Sequence, residues 1–168
     1  MQGLPISAII ATRCNQASFA ILWRVKTVVD SDLILAKAGS VKGHLKRVFE
    51  KRNIDLNDFL NDIDRQESIL FNIQMAVQNC IDIAAHIISE NGLGVPGSTT
   101  EMFYLLEKHG YLNHDLTGRM MKAVGFQNLI AHEYGKIELE KVYTIAQEDI
   151  SDLNEYLKAI IKKIGLTD

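Results

Sequence analysis

Residues 54–92, IDLNDFLNDIDRQESILFNIQMAVQNCIDIAAHIISENG, form the longest run of helical periodicity in the chain. Apolar residues recur three or four positions apart, the spacing that places them along one face of an α-helix. This face consists of Phe59, Ile63, Leu70, Ile73, Val77, Cys80, Ala84, Ile87 and Ile88. Asn91–Gly92 is typical of a glycine C-cap, so we expect the helix to end there.

Helical periodicity also precedes this run. Ser31 can cap a helix that ends near residues 51–53. Its apolar positions are Leu35, Ala38, Val41, Leu45 and Val48. The Gly/Pro-rich loop GLGVPGSTT, residues 92–100, follows the long run. A short helix capped by Ser98 or Thr99 comes next, and a glycine closes it.

Two further helices are predicted in the remaining sequence. Asn113 or Asp115 opens the first of them. Its apolar positions are Leu116, Met120, Val124, Leu129 and Ile130. The second begins after Gly135 and carries Ile137, Leu139, Val142, Ile145, Ile150, Leu153, Leu157, Ile160 and Ile161.

The sequence contains no alternating strand pattern, and short loops favour antiparallel neighbours. We therefore predict an all-α, up-and-down antiparallel bundle of four to five helices.

Composition narrows the class of protein. The chain has 168 residues, 47% of them apolar, and a net charge of −3, which argues against broad, non-specific binding of nucleic acid. No apolar run reaches the roughly 18 residues that a membrane span needs. Cys14 and Cys80 are too few for a disulfide framework, which favours a reducing compartment and a cytoplasmic location. Residues 1–28 lack acidic residues. We expect them to form a loosely attached extension of a domain at 29–168.

His132 and Tyr134 are the first candidate site residues. His132 lies one turn after Asn128 and three positions before Gly135, at the predicted end of a helix. Histidine exchanges a proton near neutral pH, which acid–base chemistry requires. Since Tyr134 would lie about 200° further round an ideal helix, the two side chains share a site only if the helix ends between them. On spacing alone, an ordinary helix end remains the alternative.

Basic residues lie near this candidate pair. Arg119, Lys122 and Lys136 can form a patch that attracts phosphate, with a solvated helix face as the alternative. Asp82 and His86 are an i,i+4 pair, which usually reflects an ordinary helix surface. The spacing of the histidines does not predict a metal site. The sequence contains no P-loop, dinucleotide-binding turn, nucleophile elbow or CxxC pair.

Three segments together resemble a known family. They are NIQMAVQNCIDIAAHIISENG, STTEMFYLLEKHGYLNHDLTGRMMK and MMKAVGFQNLIAHEYGKIELEKVY. They are similar to the HepT family, which belongs to the HEPN superfamily of helical-bundle ribonucleases. The resemblance covers most of residues 32–165. The HEPN hallmark is Rx4–6HxY, and the HepT string GFRN…HxY is matched at Gly125, Phe126, Asn128, His132 and Tyr134.

The resemblance implies a HEPN-like bundle that acts as the toxin of a toxin–antitoxin pair. Members are homodimers that cut RNA, either tRNA or mRNA, at a composite cleft without a metal or other cofactor. The antitoxin would be an MntA-type nucleotidyltransferase that attaches AMP to the motif tyrosine, here Tyr134. By position, His132 and Tyr134 are catalytic, with Asn128 and residue 127 completing the motif.

Gln127 departs from the family pattern, because it occupies the position of the motif arginine. A glutamine amide donates a hydrogen bond but brings no charge to a phosphate. Losing such a donor costs about 2.7–4 kcal/mol of transition-state stabilisation, or about a hundredfold to a thousandfold in rate. Three interpretations remain open: a weakened toxin, an inactive module that binds a nucleotidyltransferase, and a substitution tolerated during expression.

Overall fold

The computed structural model describes residues 30–132, 135 and 137–166. Residues 1–28 lie outside this part of the chain, so the proposed N-terminal extension stays a prediction. The described ranges contain helices and no β-strand. The helices are α1 (Ser31–Lys51), α2 (Leu56–Leu60), α3 (Ile63–Asn91), α4 (Thr99–Lys108), α5 (His114–His132), α6 (Leu139–Thr144) and α7 (Ser151–Lys163). The predicted all-α class is confirmed.

Helix α3 forms the centre of the bundle. Its predicted C-cap is confirmed, because Gly92 adopts the left-handed conformation with φ of 58°. The periodic run at 54–92 forms two helices, because residues 61–62 divide it into α2 and α3. Asp62 caps α3, and its Oδ1 accepts a hydrogen bond from the Arg65 amide at 2.9 Å. Ile63, predicted to lie on the apolar face, is therefore in the first turn and is 67% exposed.

Helix α1 packs antiparallel to α3. Lys37 near its start contacts Asp82, whereas His44 further along contacts Asn72, so residue numbers run in opposite directions along the two helices. Asp30, rather than Ser31, is the N-cap. The predicted apolar face is wrong at its first position, where Leu35 is exposed. The buried residues of α1 are Ile34, Ala38, Val41, Leu45 and Val48.

The caps of α4 and α5 agree with the sequence prediction. Ser98 Oγ accepts a hydrogen bond from the Glu101 amide at 3.1 Å and opens α4. Asn113 Oδ1 accepts one from the Leu116 amide at 2.8 Å and opens α5. Both side chains satisfy amides that the first helical turn leaves without a partner.

The last predicted helix is interrupted. A π-helical turn at Ile145–Asp149 separates α6 from α7. Arg52, at the end of α1, donates through Nη1 to the carbonyl oxygens of Ala146 and Gln147 at 3.0 and 2.9 Å. Gln147 Nε2 donates back to the Arg52 carbonyl oxygen at 2.6 Å. These long-range bonds hold the widened turn against α1, which periodicity alone does not predict.

Tyr156 on α7 ties the last helix to the centre of the bundle. Its side chain is fully buried, and its hydroxyl donates to the Cys80 carbonyl oxygen of α3 at 3.0 Å. Burial raises the pKa of this phenol well above its ordinary value, so the hydroxyl remains protonated and available as a donor.

None of the described helices combines the length and the apolar character that crossing a bilayer would require.

Tyr156→Phe tests this link between α3 and α7. The change removes one buried hydrogen bond and retains the ring, so we expect a loss of about 1 kcal/mol in the free energy of unfolding. Urea denaturation followed by circular dichroism measures it. Tyr104→Phe on α4 is the matched control, since Tyr104 is 49% exposed. Equal effects of the two changes would contradict the structural role of the Tyr156 hydroxyl.

Candidate functional site

The candidate histidine lies at the C-terminal end of α5. His132 is the last residue of this helix and is exposed, as is Asn128 one turn earlier. An exposed imidazole at a helix end is available to a substrate without local unfolding. Tyr134 and Lys136 lie outside the described residues, so the meeting of His132 with Tyr134 stays a prediction.

Gln127 faces inwards, away from the solvent that surrounds its neighbours. It is 9% exposed, and its Nε2 donates to Gln78 Oε1 of α3 at 3.2 Å. Gln78 Nε2 in turn donates to Asp82 Oδ1 at 2.9 Å. Lys37 Nζ of α1 bonds Asp82 Oδ2 at 2.6 Å. We call these four side chains the junction network, because they connect α1, α3 and α5.

The charge on Asp82 orients this network. Burial opposes ionisation, but the hydrogen bonds from Lys37 and Gln78 and the charge of Lys37 outweigh it, so the pKa of Asp82 is lowered. The ionised carboxylate accepts hydrogen bonds only, so Gln78 must turn its amide nitrogen towards Asp82. Its carbonyl oxygen then faces position 127. That position therefore requires a donor, which either glutamine or arginine supplies.

Arg119 is held by acidic residues of the same subunit. Its guanidinium contacts Asp115 at 3.2 Å, Glu155 at 2.6 Å and also Asp152. Hydrogen bonding to Glu155 is the main cause that raises the pKa of Arg119. Partial burial opposes this rise, and Asp152 adds to it. Three carboxylates compensate the single positive charge, so Arg119 links α5 to α7 and offers little net attraction to a phosphate.

Lys122 and Arg119 do not belong to the junction network. Both line a cavity. The cavity has a volume of about 230 Å³ and lies between α3, α5 and the region around the π-helical turn. Its lining residues are Ile73, Val77, Arg119, Lys122, Ala123, Phe126, Ile145, Asp149, Ile150, Asp152 and Leu153. The three cations of the predicted basic patch are thus brought together only in part, with Lys136 outside the described residues.

The other histidines do not form a metal centre in the part of the chain that the structure describes. His114 Nδ1 lies 3.0 Å from Glu107 Oε1, and His109 Nδ1 lies 2.9 Å from the Leu105 carbonyl oxygen. His86 Nε2 is buried and has no hydrogen-bond partner among the described residues. No group of three His, Cys, Asp or Glu side chains with metal-binding geometry occurs there either.

Comparison with known proteins assigns the chain to a family. The family model described as "Ribonuclease HepT-like" matches residues 41–160. The chain belongs to the HepT-like ribonuclease family. The resemblance carried by the GFxN…HxY string is thereby confirmed. The HepT-like match includes α3, the junction residues Gln78, Asp82 and Gln127, and the exposed His132.

Two relatives are named as nucleases. The mRNA nuclease HepT of Shewanella oneidensis is 30% identical over 77% of this chain and 97% of its own length. The tRNA nuclease HepT of Aphanizomenon flos-aquae is 30% identical over 73% of this chain and 81% of its own length.

Solved structures extend the similarity to three dimensions. One is a crystal structure of a toxin–antitoxin with AMP-PNP, with a TM-score of 0.73 and 29% identity. Another is the tri-AMPylated HEPN toxin of Shewanella oneidensis in complex with MNT antitoxin, with a TM-score of 0.72 and 30% identity. Each match covers 78% of this chain and 98% of the matched chain.

Asp82→Asn tests the electrostatics of the junction network. Folding lowers the pKa of Asp82 from 3.8, so its stabilisation is fully present above that value and is lost as the pH falls through the lower folded-state pKa. We expect the variant to be less stable than the wild type at pH 7. The difference should shrink as the pH falls below about 4.

Urea denaturation at a series of pH values measures this difference. Glu67→Gln, an exposed change on the same helix, is the matched control. A deficit of Asp82→Asn that stays constant down to pH 2 would contradict a stabilising role for the ionised carboxylate.

Proposed function

We propose that this chain is the toxin of a toxin–antitoxin pair and that it acts as a metal-independent endoribonuclease. The single observation that carries the proposal is the exposed His132 at the end of α5, in a chain of the HepT-like ribonuclease family. The nucleases named among its relatives support RNA, either mRNA or tRNA, as the substrate. Its proposed place of action is the cytoplasm, where these RNAs occur.

The proposed reaction needs proton transfer and no resident cofactor. His132 accepts the proton of a ribose 2′-hydroxyl, whose oxygen then attacks the neighbouring phosphorus. The bond from phosphorus to the 5′-oxygen breaks, and that oxygen takes up a proton. The products end in a 2′,3′-cyclic phosphate and a 5′-hydroxyl. We propose a homodimer in which two such helix ends, with Asn128 and Tyr134 beside His132, form one cleft for RNA.

The proposed partner is a nucleotidyltransferase antitoxin of the MntA type. It would transfer AMP from ATP to the phenol oxygen of Tyr134 and release pyrophosphate. The AMPylated toxin in complex with MNT antitoxin, among the similar structures, supports this mode of control. The added nucleotide brings bulk and negative charge beside the position where an RNA phosphate must lie, and repulsion would exclude the substrate.

His132→Ala tests the nuclease proposal. We expect cleavage of tRNA and mRNA by the wild type and a loss of about 100-fold or more in the variant, because proton transfer by a positioned side chain contributes about that much. Product ends are identified by mass spectrometry, which should detect a 2′,3′-cyclic phosphate.

His109→Ala is the matched control, since His109 lies in an exposed turn. If the wild type and Gln127→Arg both leave RNA intact as folded dimers, the nuclease proposal is wrong.

Tyr134→Phe tests the proposed control by AMP. Incubation with the nucleotidyltransferase, ATP and magnesium should add one or more AMP mass increments to the wild type and none to the variant. Peptide mass spectrometry locates the modified residue. Tyr143→Phe is the control, since the Tyr143 hydroxyl donates to the Ile54 carbonyl oxygen inside the bundle. Unchanged labelling of Tyr134→Phe would contradict the assignment.

A binding role without cleavage is the second candidate function. Gln127 is the observation that raises it, whereas the nucleases named among the relatives favour cleavage. The motif position then retains a hydrogen-bond donor but no cation. Expression of the wild type and of Gln127→Arg without the partner distinguishes the two functions. Growth arrest by the wild type supports the toxin. Unimpaired growth with the wild type, together with binding of the purified protein to the nucleotidyltransferase, supports the binding module.

A further inference from the structure

The motif position of this chain cannot deliver a positive charge to a phosphate. Gln127 is uncharged and buried, and its amide nitrogen is directed to Gln78. Cleavage of a phosphodiester places additional negative charge on the phosphate in the transition state, which a nearby cation stabilises. A cation from elsewhere in the fold is therefore required if the chain cleaves RNA.

Lys37 stands at the other end of the hydrogen-bonded chain that begins at Gln127. Two side chains, Gln78 and Asp82, connect them. The side chain of Lys37 is 35% exposed, so it borders solvent rather than the closed core. An ammonium has three N–H donors, and Asp82 Oδ2 is the acceptor recorded for Lys37 among the described residues.

We propose that Lys37 is the phosphate-binding cation of the RNA site and takes over the charge that Gln127 lacks. This inference rests on the proposed nuclease function and assigns a further residue to the same site. Asp82 holds the ammonium at the junction of α1, α3 and α5, and the remaining N–H donors bind the phosphate.

Arg119 and Lys122 are weaker candidates for this role. Arg119 is bound by three carboxylates, so its charge is already compensated within the subunit. Lys122 lines the cavity between α3 and α5 and is not part of the junction network. Lys37 faces one carboxylate, that of Asp82, whereas Arg119 faces three.

Coupling between positions 37 and 127 follows from this assignment. Gln127→Arg would place a guanidinium at the same junction, where its N–H groups still satisfy the Gln78 carbonyl oxygen. With Lys37 present, the second cation adds little. Without Lys37, the guanidinium is the only cation of the network and should restore the lost function. The two changes should therefore be strongly non-additive.

A double-mutant cycle tests the proposal. Wild type, Lys37→Met, Gln127→Arg and the double variant are compared for the rate of RNA cleavage and for binding of a fully 2′-O-methylated RNA, which cannot be cleaved. We expect Lys37→Met to lower the rate about 100-fold and to weaken binding. Gln127→Arg should restore most of both losses in the Lys37→Met background and change the wild type far less.

Two further variants separate phosphate binding from folding. Lys46→Met, an exposed change on the same helix, is the matched control and should retain the rate and the affinity of the wild type. Lys37→Met combined with Asp82→Asn removes both charges, so no unpaired carboxylate destabilises the fold. We expect this folded double variant to remain deficient in cleavage and in binding.

Two results would overturn the assignment of Lys37. One is cleavage and binding at the wild-type level by the variant that combines Lys37→Met with Asp82→Asn. The other is a deficit in Lys37→Met that the addition of Gln127→Arg does not reduce. Failure of the nuclease proposal gives a different result, namely intact RNA with both the wild type and Gln127→Arg. In that case the affinity for the methylated RNA still decides whether Lys37 binds phosphate.

Discussion

Burial of helix α3 is the constraint on which the rest of the structure depends. This helix contacts α1, α4, α5 and α7, and its apolar residues occupy the centre of the core. Each fully buried Ile or Leu contributes about 1.5–3 kcal/mol relative to an exposed one. The buried amide side chains of this helix are hydrogen-bonded, and Asn79 Nδ2, for example, donates to the Met75 carbonyl oxygen at 2.8 Å. The helix can therefore be surrounded by neighbours without unpaired amides.

The position of α5 on α3 determines how residue 127 functions. Gln78 presents its carbonyl oxygen to α5, so a donor at 127 is favoured whatever its charge. The fold thus accepts Gln127 without leaving a buried polar group unpaired. Catalysis sets a separate requirement, which is positive charge near the scissile phosphate. Folding requires a hydrogen-bond donor at position 127, and catalysis requires a cation near the phosphate. Lys37 on α1 is the cation that we propose for the second requirement.

The end of α5 that bears His132 is positioned by contacts far from the histidine. Arg119 anchors α5 to α7 through Asp152 and Glu155. Helix α7 is itself held by Tyr156 against α3. The π-helical turn before α7 is fastened to the end of α1 by Arg52. A cation that resembles a phosphate ligand in the sequence therefore acts in the structure as a connector between helices.

Local physics explains which features the sequence by itself determined. Helical periodicity, the glycine cap at Gly92 and the cap at Ser98 depend on residues within a few positions of one another, and the GFxN…HxY string identified the family. Only the tertiary structure decided that carboxylates compensate the charge of Arg119 and that Lys37 joins the junction network that contains Gln127. These contacts join residues on different helices, and their geometry depends on how the helices pack. Side-chain charge is readable in a sequence, whereas the partner that compensates it is not.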